Sequence, residues 1–313
     1  MSKPCDSPTH RVCILVLGMH RSGTSAVTRT ISGMGAALPG NLIPPLKDNP
    51  EGFWESADIV AVHNRFLEAV GSAWNDPRIL APEVFETNAA AVCREELLSI
   101  LQRDFSDQRL FVIKDPRICV LMPLWLRVLA DFEALPLAVF AYRHPAEVAL
   151  SLTRRNEAIR EHGLALWLTC NLMAERQTRG LRRLFVSYDG FLADPIAAAR
   201  RLADGLGCFD AAKVAVGLEL ARTQWRPEMR NHATADDSSL PAWVRTIYDW
   251  LRAATRPGAA EPSVADLETL ALAIADAHAL YGPMIGAALP RPQRRPALSE
   301  RVARRLSSLG RPV

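Results

Sequence analysis

Two rhythms of apolar and polar residues run along the chain. Continuous apolar runs at residues 11–18 (RVCILVLG), 110–115 (LFVIKD), 135–143 (LPLAVFAYR) and 183–189 (RLFVSYD) have the length and aliphatic content of strands buried on both faces. Around them, apolar residues return at helical spacing in SAVTRTISGMG, ADIVAVHNRFLEAV, AAVCREELLSILQRDF, GLALWLTCNLMAERQTRGL and IAAARRLADGLG. That spacing lays an apolar stripe along one side of a helix. Strands alternating with helices predict an α/β fold, a three-layer, doubly wound and mostly parallel sheet. After a poorly patterned stretch, PAWVRTIYDWLRAA and SVADLETLALAIADAHALYG predict helical C-terminal additions, with RPGAAEPS as a linker between them. No internal repeat is present.

With 313 residues, 49% hydrophobic and 23% charged, the chain has enough apolar material for a full core, which excludes extensive disorder. The expected organisation is a flexible N-terminus over residues 1–10, one domain over residues 11–285, and a mobile Arg/Pro-rich tail over residues 286–313. The net charge of +3 conceals an asymmetry. From Arg291 onward the tail carries seven arginines against one acid, Glu300, so the rest of the chain is mildly acidic. Such a tail can touch anionic glycans, lipids or nucleic acid, or be solvated; the sequence assigns it no role, and no nucleic-acid partner is expected.

The six cysteines are scattered, with no CxxC pair and no Cys/His ligand spacing. Neither a zinc site nor a disulfide framework is indicated, and a reducing compartment fits. The start MSKPCDSPTHR has little in common with a secretory signal, and the apolar run at residues 12–17 is too short to span a bilayer. A cytoplasmic location without a transmembrane segment is therefore expected. The oligomeric state is left open.

Chemistry enters at GMHRSGTS, residues 18–25. Gly18 and Gly23 have the separation of a Walker A loop, but the lysine position holds Thr24, and the nearest cation is Arg21. Backbone N–H groups and the end of the following helix still suit one phosphate or sulfate-like group. The plain alternative is a tight turn. A second signal is YRHPAEVALSL, in which Arg143 ends a strand, Pro145 is placed to open a helix and Ser151 falls about two turns into it. Both can face a ligand above the carboxyl edge of the sheet, or Arg143 can pair with a neighbouring acid and leave Ser151 an ordinary helix serine.

Together, RSGTS and the R-x-P-x-x-x-x-x-S pattern resemble the two cofactor motifs of sulfotransferases that use 3′-phosphoadenosine 5′-phosphosulfate (PAPS). The resemblance covers residues 11–207, and FVIKDPR and VSYDGFLADP add to it. It implies a P-loop-type domain in which Arg21, Ser22, Gly23, Thr24 and Ser25 hold the 5′-phosphosulfate, while Arg143 and Ser151 hold the 3′-phosphate. The loop arginine is nearer the tyrosylprotein and bacterial members than the cytosolic phenol and steroid enzymes, which carry lysine there. PAPS is the implied cosubstrate, with no metal required, and Arg21, the loop amides and the Thr24 and Ser25 hydroxyls are the expected stabilisers of the charge that develops on the bridging oxygen as sulfate leaves.

Lys114, at the end of a predicted strand, resembles the family lysine that contacts the bridging or sulfuryl oxygen; its alternative is a surface lysine paired with Asp115. Arg117 is either a third cation or a partner that stabilises the fold. Transfer also needs a base for the acceptor hydroxyl. The cytosolic branch has a histidine two residues after the lysine, where this chain has Pro116. The tyrosylprotein branch has a glutamate after the first helix, and NPEGFWES offers Glu51 and Glu55 beside Phe53 and Trp54. Glu55 can instead favour only a helix dipole, and His20 and Asp115 are further candidates. Trp74, Trp125 and Trp167 read as core or core-edge residues, and His63 and His162 as structural. WRPEMRNH, with Arg226, Arg230 and His232, reads either as a loop closing over the site or as an exposed connection.

The expected activity is in-line transfer of a sulfuryl group to a hydroxyl, or an amine, of a glycan, lipid or small metabolite, releasing adenosine 3′,5′-bisphosphate. A small-molecule kinase and a non-catalytic nucleotide- or glycan-binding module are the alternatives.

Overall fold

A computed structural model of the chain describes residues 10–45, 49, 51–156, 159–224, 237–256, 258 and 260–288. Four strands, β1 (Arg11–Leu17), β2 (Leu110–Lys114), β3 (Ala134–Tyr142) and β4 (Arg182–Ser187), form one sheet in the order β2-β1-β3-β4. Every pairing is parallel, with Val16 opposite Lys114 and Leu17 opposite Phe140 in neighbouring strands. The carboxyl ends of β1, β2 and β3 therefore reach one edge together. Successive side chains in β1 divide between two cores: Cys13, Leu15 and Leu17 face one, Val12, Ile14 and Val16 the other. This double burial is why the strands read as unbroken apolar runs.

The helices of the domain are α1 (Thr24–Gly33), α2 (Ala57–Ala69), α3 (Asn88–Phe105), α4 (Ile118–Asp131), α5 (Pro145–Asn156), α6 (Arg160–Gln177), α7 (Tyr188–Ala193) and α8 (Pro195–Leu206). They are followed by α9 (Ala211–Gln224), α10 (Ala242–Ala254) and α11 (Ala265–Ala288). Val27 and Ile31 of α1 and Leu202 and Leu206 of α8 cover one face of the sheet; α2, α3, α4 and α6 bury their apolar sides against the other. The expected three-layer α/β architecture with C-terminal helices is thus the one observed, with an all-parallel sheet.

Some elements differ from the sequence reading. Tyr188 and Asp189 open α7 instead of extending β4, because the Ser187 hydroxyl accepts from Gly190 N and caps a helix there. The helix α4 carries no polar stripe: Ile118, Cys119, Leu121, Met122, Leu124, Trp125, Val128 and Leu129 are all buried. It holds Pro123 in its interior, a cost of about 3 kcal/mol set against large side chains that each contribute roughly 1.5–3 kcal/mol on burial. The poorly patterned stretch contains α9, which approaches α1 through Gly217, where a Cβ would lie 2.3 Å from Met34 Cγ. The five described cysteines are free thiols. The WRPEMRNH segment, Cys5, residues 1–9 and residues 289–313 lie outside the described residues.

Candidate functional site

The chain leaves β1 through a loop whose glycines are sterically required. At Gly18 (φ 135°), a Cβ would stand 2.0 Å from the Ala141 carbonyl oxygen of β3. At Gly23 (φ 85°), it would stand 2.3 Å from Tyr188 Cδ2. Gly23 is also the N-cap of α1, so no side chain caps this helix, and its first turn contains no acid. The positive end of α1 is open to an anion. Ser22 is fully buried, and its hydroxyl has no hydrogen-bond partner among the described residues, an arrangement that suits an incoming oxygen.

At the end of β2, Lys114 points into the same loop. Its side chain is 4% exposed, and its Nζ donates to Glu55 Oε1 at 2.5 Å, Phe53 O at 2.9 Å and Ser25 Oγ at 3.3 Å. The Ser25 hydroxyl donates in turn to Phe53 O at 3.1 Å. Lys114 is therefore a buried cation joined to the loop and to Glu55, and its expected alternative as a surface partner of Asp115 is corrected. Glu55 is held by its own backbone as well: its carbonyl accepts from Ile43 N at 2.8 Å, and a bridge between Leu42 and Ser56 pins the adjacent position. Ser56, not Glu55, caps α2, so a role confined to the helix dipole does not account for Glu55. Glu51 points elsewhere. It is half exposed and paired with Arg29.

The third part comes from the end of β3. Arg143 is buried, with its Nε 2.6 Å from Glu147 Oε2 one turn along α5 and its guanidinium 4.9 Å above the Tyr188 ring. The pairing with a neighbouring acid, an open alternative from sequence, is thus present. Ser151 is no ordinary helix serine, because Arg21 of the loop donates from Nε to its Oγ at 2.9 Å. Tyr188 packs on Gly23 and under Arg143, which ties the loop to α5 from a second side. Burial pushes the Tyr188 hydroxyl up from its ordinary range, against the opposing pull of Arg143 and Arg21.

Among the described residues, four that are not glycine have positive φ, and two of these, Arg21 (70°) and Trp54 (61°), lie in this region. Such backbone costs about 1–3 kcal/mol and gathers at binding and catalytic sites. Trp54 donates from Nε1 to Glu51 O at 2.9 Å and faces Arg29, so it shapes the outer side of the segment that holds Glu55.

Behind Lys114 stands a buried polar chain. Trp125 Nε1 donates to His63 Nε2 at 2.9 Å, and His63 Nδ1 lies 2.8 Å from Asp115 Oδ2. An indole N–H can only donate, so Nε2 accepts and the ring proton sits on Nδ1, directed at Asp115. Arg117 adds its backbone N at 3.0 Å and Nη1 at 2.8 Å to Asp115 Oδ1, and donates to Asn64. Burial pushes the Asp115 carboxyl up, but Arg117 and His63 outweigh it and hold it well below the usual carboxylate range. Arg117 is thus a fold-stabilising partner of Asp115, and His63 is a satisfied structural histidine. Trp125 and Trp167 are fully buried in the core. Trp74 meets His20 edge-on at 5.3 Å beside a small cavity also lined by Pro116 and Arg117.

The structure therefore joins Arg21 to Ser151, and Ser25 to Lys114 and Glu55, while leaving Glu51 apart. The sequence reading did not select Tyr188, Glu147 or the Phe53 carbonyl. Tyr188 had a signal in VSYDGFLADP, and Glu147 in its position one helical turn after Arg143; a backbone carbonyl has none.

No protein-family model matches the chain, and no curated protein matches it. Among solved structures, a sulfotransferase domain from the olefin synthase of Synechococcus PCC 7002 is similar with a TM-score of 0.42 and 22% identity, over 88% of this chain and 98% of that one. A sulfotransferase domain from the curacin biosynthetic pathway has a TM-score of 0.38 and 17% identity, over 95% of this chain and 98% of that one. Retinol dehydratase, in complex with androsterone and the inactive cofactor PAP, has a TM-score of 0.33 and 12% identity, over 90% and 82%.

Proposed function

We propose that the protein transfers a sulfuryl group from PAPS to a hydroxyl, or an amine, of a glycan, lipid or small-metabolite acceptor, releasing adenosine 3′,5′-bisphosphate. The observation that carries this reading is the hydrogen bond from Arg21 to Ser151, which unites two anion-binding motifs 130 positions apart at one edge of the sheet. A ligand with two separate anionic groups fits such a pair better than one with a single group.

The residues present fit this cosubstrate. The buried Ser22 hydroxyl and the uncapped start of α1 would hold the 5′-phosphosulfate with Thr24 and Ser25; Arg143 and Ser151 would hold the 3′-phosphate, and Arg21, expected from sequence at the 5′-phosphosulfate, would reach this second group through its bond to Ser151. The donor supplies an activated sulfur–oxygen bond. In-line attack forms a bond from the acceptor oxygen to sulfur and breaks the bond from sulfur to the phosphate oxygen. Negative charge then grows on that oxygen, where Lys114 and the loop amides would stabilise it. Glu55, beside Lys114, would receive the acceptor proton.

A kinase reading requires a loop lysine and an acid free to serve magnesium. Position 24 is threonine, and the two carboxylates beside the end of β2, Glu55 and Asp115, are engaged by Lys114 and by Arg117 and His63. The test is calorimetric titration with adenosine 3′,5′-bisphosphate and, separately, with ATP and magnesium, on the wild type and on Arg143→Ala. Metal-independent binding of the bisphosphate, weakened in the variant, is expected. Preference for ATP with magnesium and indifference to Arg143 would refute the proposal.

A further inference from the structure

The helix α11 is long and apolar enough, by length and composition, to cross a membrane, yet only 22% of its apolar stretch is buried. Its first half is docked, with Leu267, Leu270, Ala271 and Ile274 buried in the core. Its second half is held along one edge. His278 Nδ1 accepts from Ile79 N at 3.1 Å, Arg78 Nη1 reaches Gly282 O at 3.5 Å, and a Cβ on Gly286 would meet Arg78 Nη1 at 2.6 Å. Residues 278, 282 and 286 share a side of the helix, so Leu280 and Met284 point away from the body. They are 67% and 69% exposed, and Tyr281 is 54% exposed.

From Ala277 to Ala288 there is no Asp, Glu, Lys or Arg. The acids of α11, Asp266, Glu268 and Asp276, all lie in its first half, and Glu268 is engaged by Arg176 and Arg179. The sequence then supplies seven arginines against one glutamate from Arg291 onward. We propose that the outward face of the second half of α11 is a docking surface for an anionic lipid bilayer, the sign of that bilayer argued from the arginine-rich sequence that follows, and that the helix lies on it in the interfacial plane.

Chemistry favours this occupant over others. Apolar insertion or a polybasic segment alone gives weak attachment, and the two together give a stable one. Tyr281 has the amphipathic ring suited to the headgroup level. A nucleic acid would use the arginines but have no need of Leu280 and Met284. A second copy of the chain would bring only Asp266 and Asp276 of its α11 to meet seven arginines. An in-plane helix also keeps the contacts of Arg78 and His278, which a spanning helix would break. The proposal does not depend on the sulfuryl-transfer reading.

The test is co-sedimentation of the full chain with vesicles of equimolar phosphatidylserine and phosphatidylcholine, and with phosphatidylcholine alone, alongside analytical ultracentrifugation without lipid. Binding to the anionic vesicles that weakens with added salt is expected. Leu280→Asp with Met284→Asp should lower it at least about tenfold, and Arg291→Gln with Arg294→Gln and Arg295→Gln should remove most of the phosphatidylserine dependence. Circular dichroism of the first variant checks its fold, and the second changes only residues beyond α11. No binding to anionic vesicles, or binding that neither variant alters, would overturn the proposal. So would a dimer in ultracentrifugation that Leu280→Asp with Met284→Asp dissolves, with vesicle binding absent, since the face would then belong to a second copy.

Discussion

Lys114 and Glu55, 59 positions apart in sequence, form an ion pair of 2.5 Å with side chains 4% and 7% exposed. Breaking such a buried pair from one side leaves an uncompensated charge and costs about 3–5 kcal/mol, whereas replacing both partners by apolar groups is often neutral. Lys114→Met and Glu55→Leu should each lower the urea midpoint strongly, while the double variant should regain most of the loss. On the proposed function, sulfuryl transfer should be absent in all three. A double variant that retains turnover would remove both residues from the chemistry.

The contact between Arg21 and Ser151 gives a second expectation. Residues in one network show interaction energies of about 0.5–3 kcal/mol in double-mutant cycles. Arg21→Ala and Ser151→Ala should therefore weaken binding of adenosine 3′,5′-bisphosphate by less in combination than the sum of their single effects. Strict additivity in calorimetry would mean that the hydrogen bond does not belong to the binding site. Arg21→Lys should not restore affinity, because an ammonium cannot reproduce the planar guanidinium fork.

These two pairings also mark the limit of what sequence patterns express. The strands were legible because β1 and its neighbours are buried on both sides, and the loop was legible because its glycines, Arg21 and the start of α1 are consecutive. Distance across the fold leaves no such local trace. Nothing in NPEGFWES separates Glu51 from Glu55; the distinction arises from the backbone bonds of residues 42, 43, 55 and 56, which turn Glu55 inward and leave Glu51 with Arg29. Helix α4 was hidden for the opposite reason to α9. Burial on nearly every side erases its stripe, whereas α9 reaches its neighbour through Gly217 and buries few side chains.

Gly23 combines two constraints, a positive φ and the Tyr188 ring in the space a Cβ would take. Gly23→Ala meets a backbone penalty of about 1–2 kcal/mol together with the clash, so both the unfolding midpoint and bisphosphate affinity should fall. In a Tyr188→Ala background the same substitution should cost less stability, since only the backbone penalty remains. Equal losses in both backgrounds would show that Tyr188 can move aside and does not brace the loop.

The chain from Trp125 through His63 to Asp115 makes a prediction about acid stability. The Asp115 carboxyl is held below its ordinary range in the folded protein, so near pH 3 the unfolded chain binds more protons at this residue than the folded one, and stability falls as pH falls. Its contribution is fully present above the unfolded value of about 4 and is lost progressively below it. Asp115→Asn keeps an acceptor for the Arg117 backbone N–H but removes the charge that faces the guanidinium. The variant should be less stable at neutral pH, and its urea midpoint should decline less steeply than that of the wild type below about pH 4. Parallel acid limbs for the two proteins would assign the acid sensitivity to other carboxylates. Because Lys114 precedes Asp115 directly, the loss of this brace should also reduce the proposed sulfuryl transfer at neutral pH, where the folded variant can be assayed.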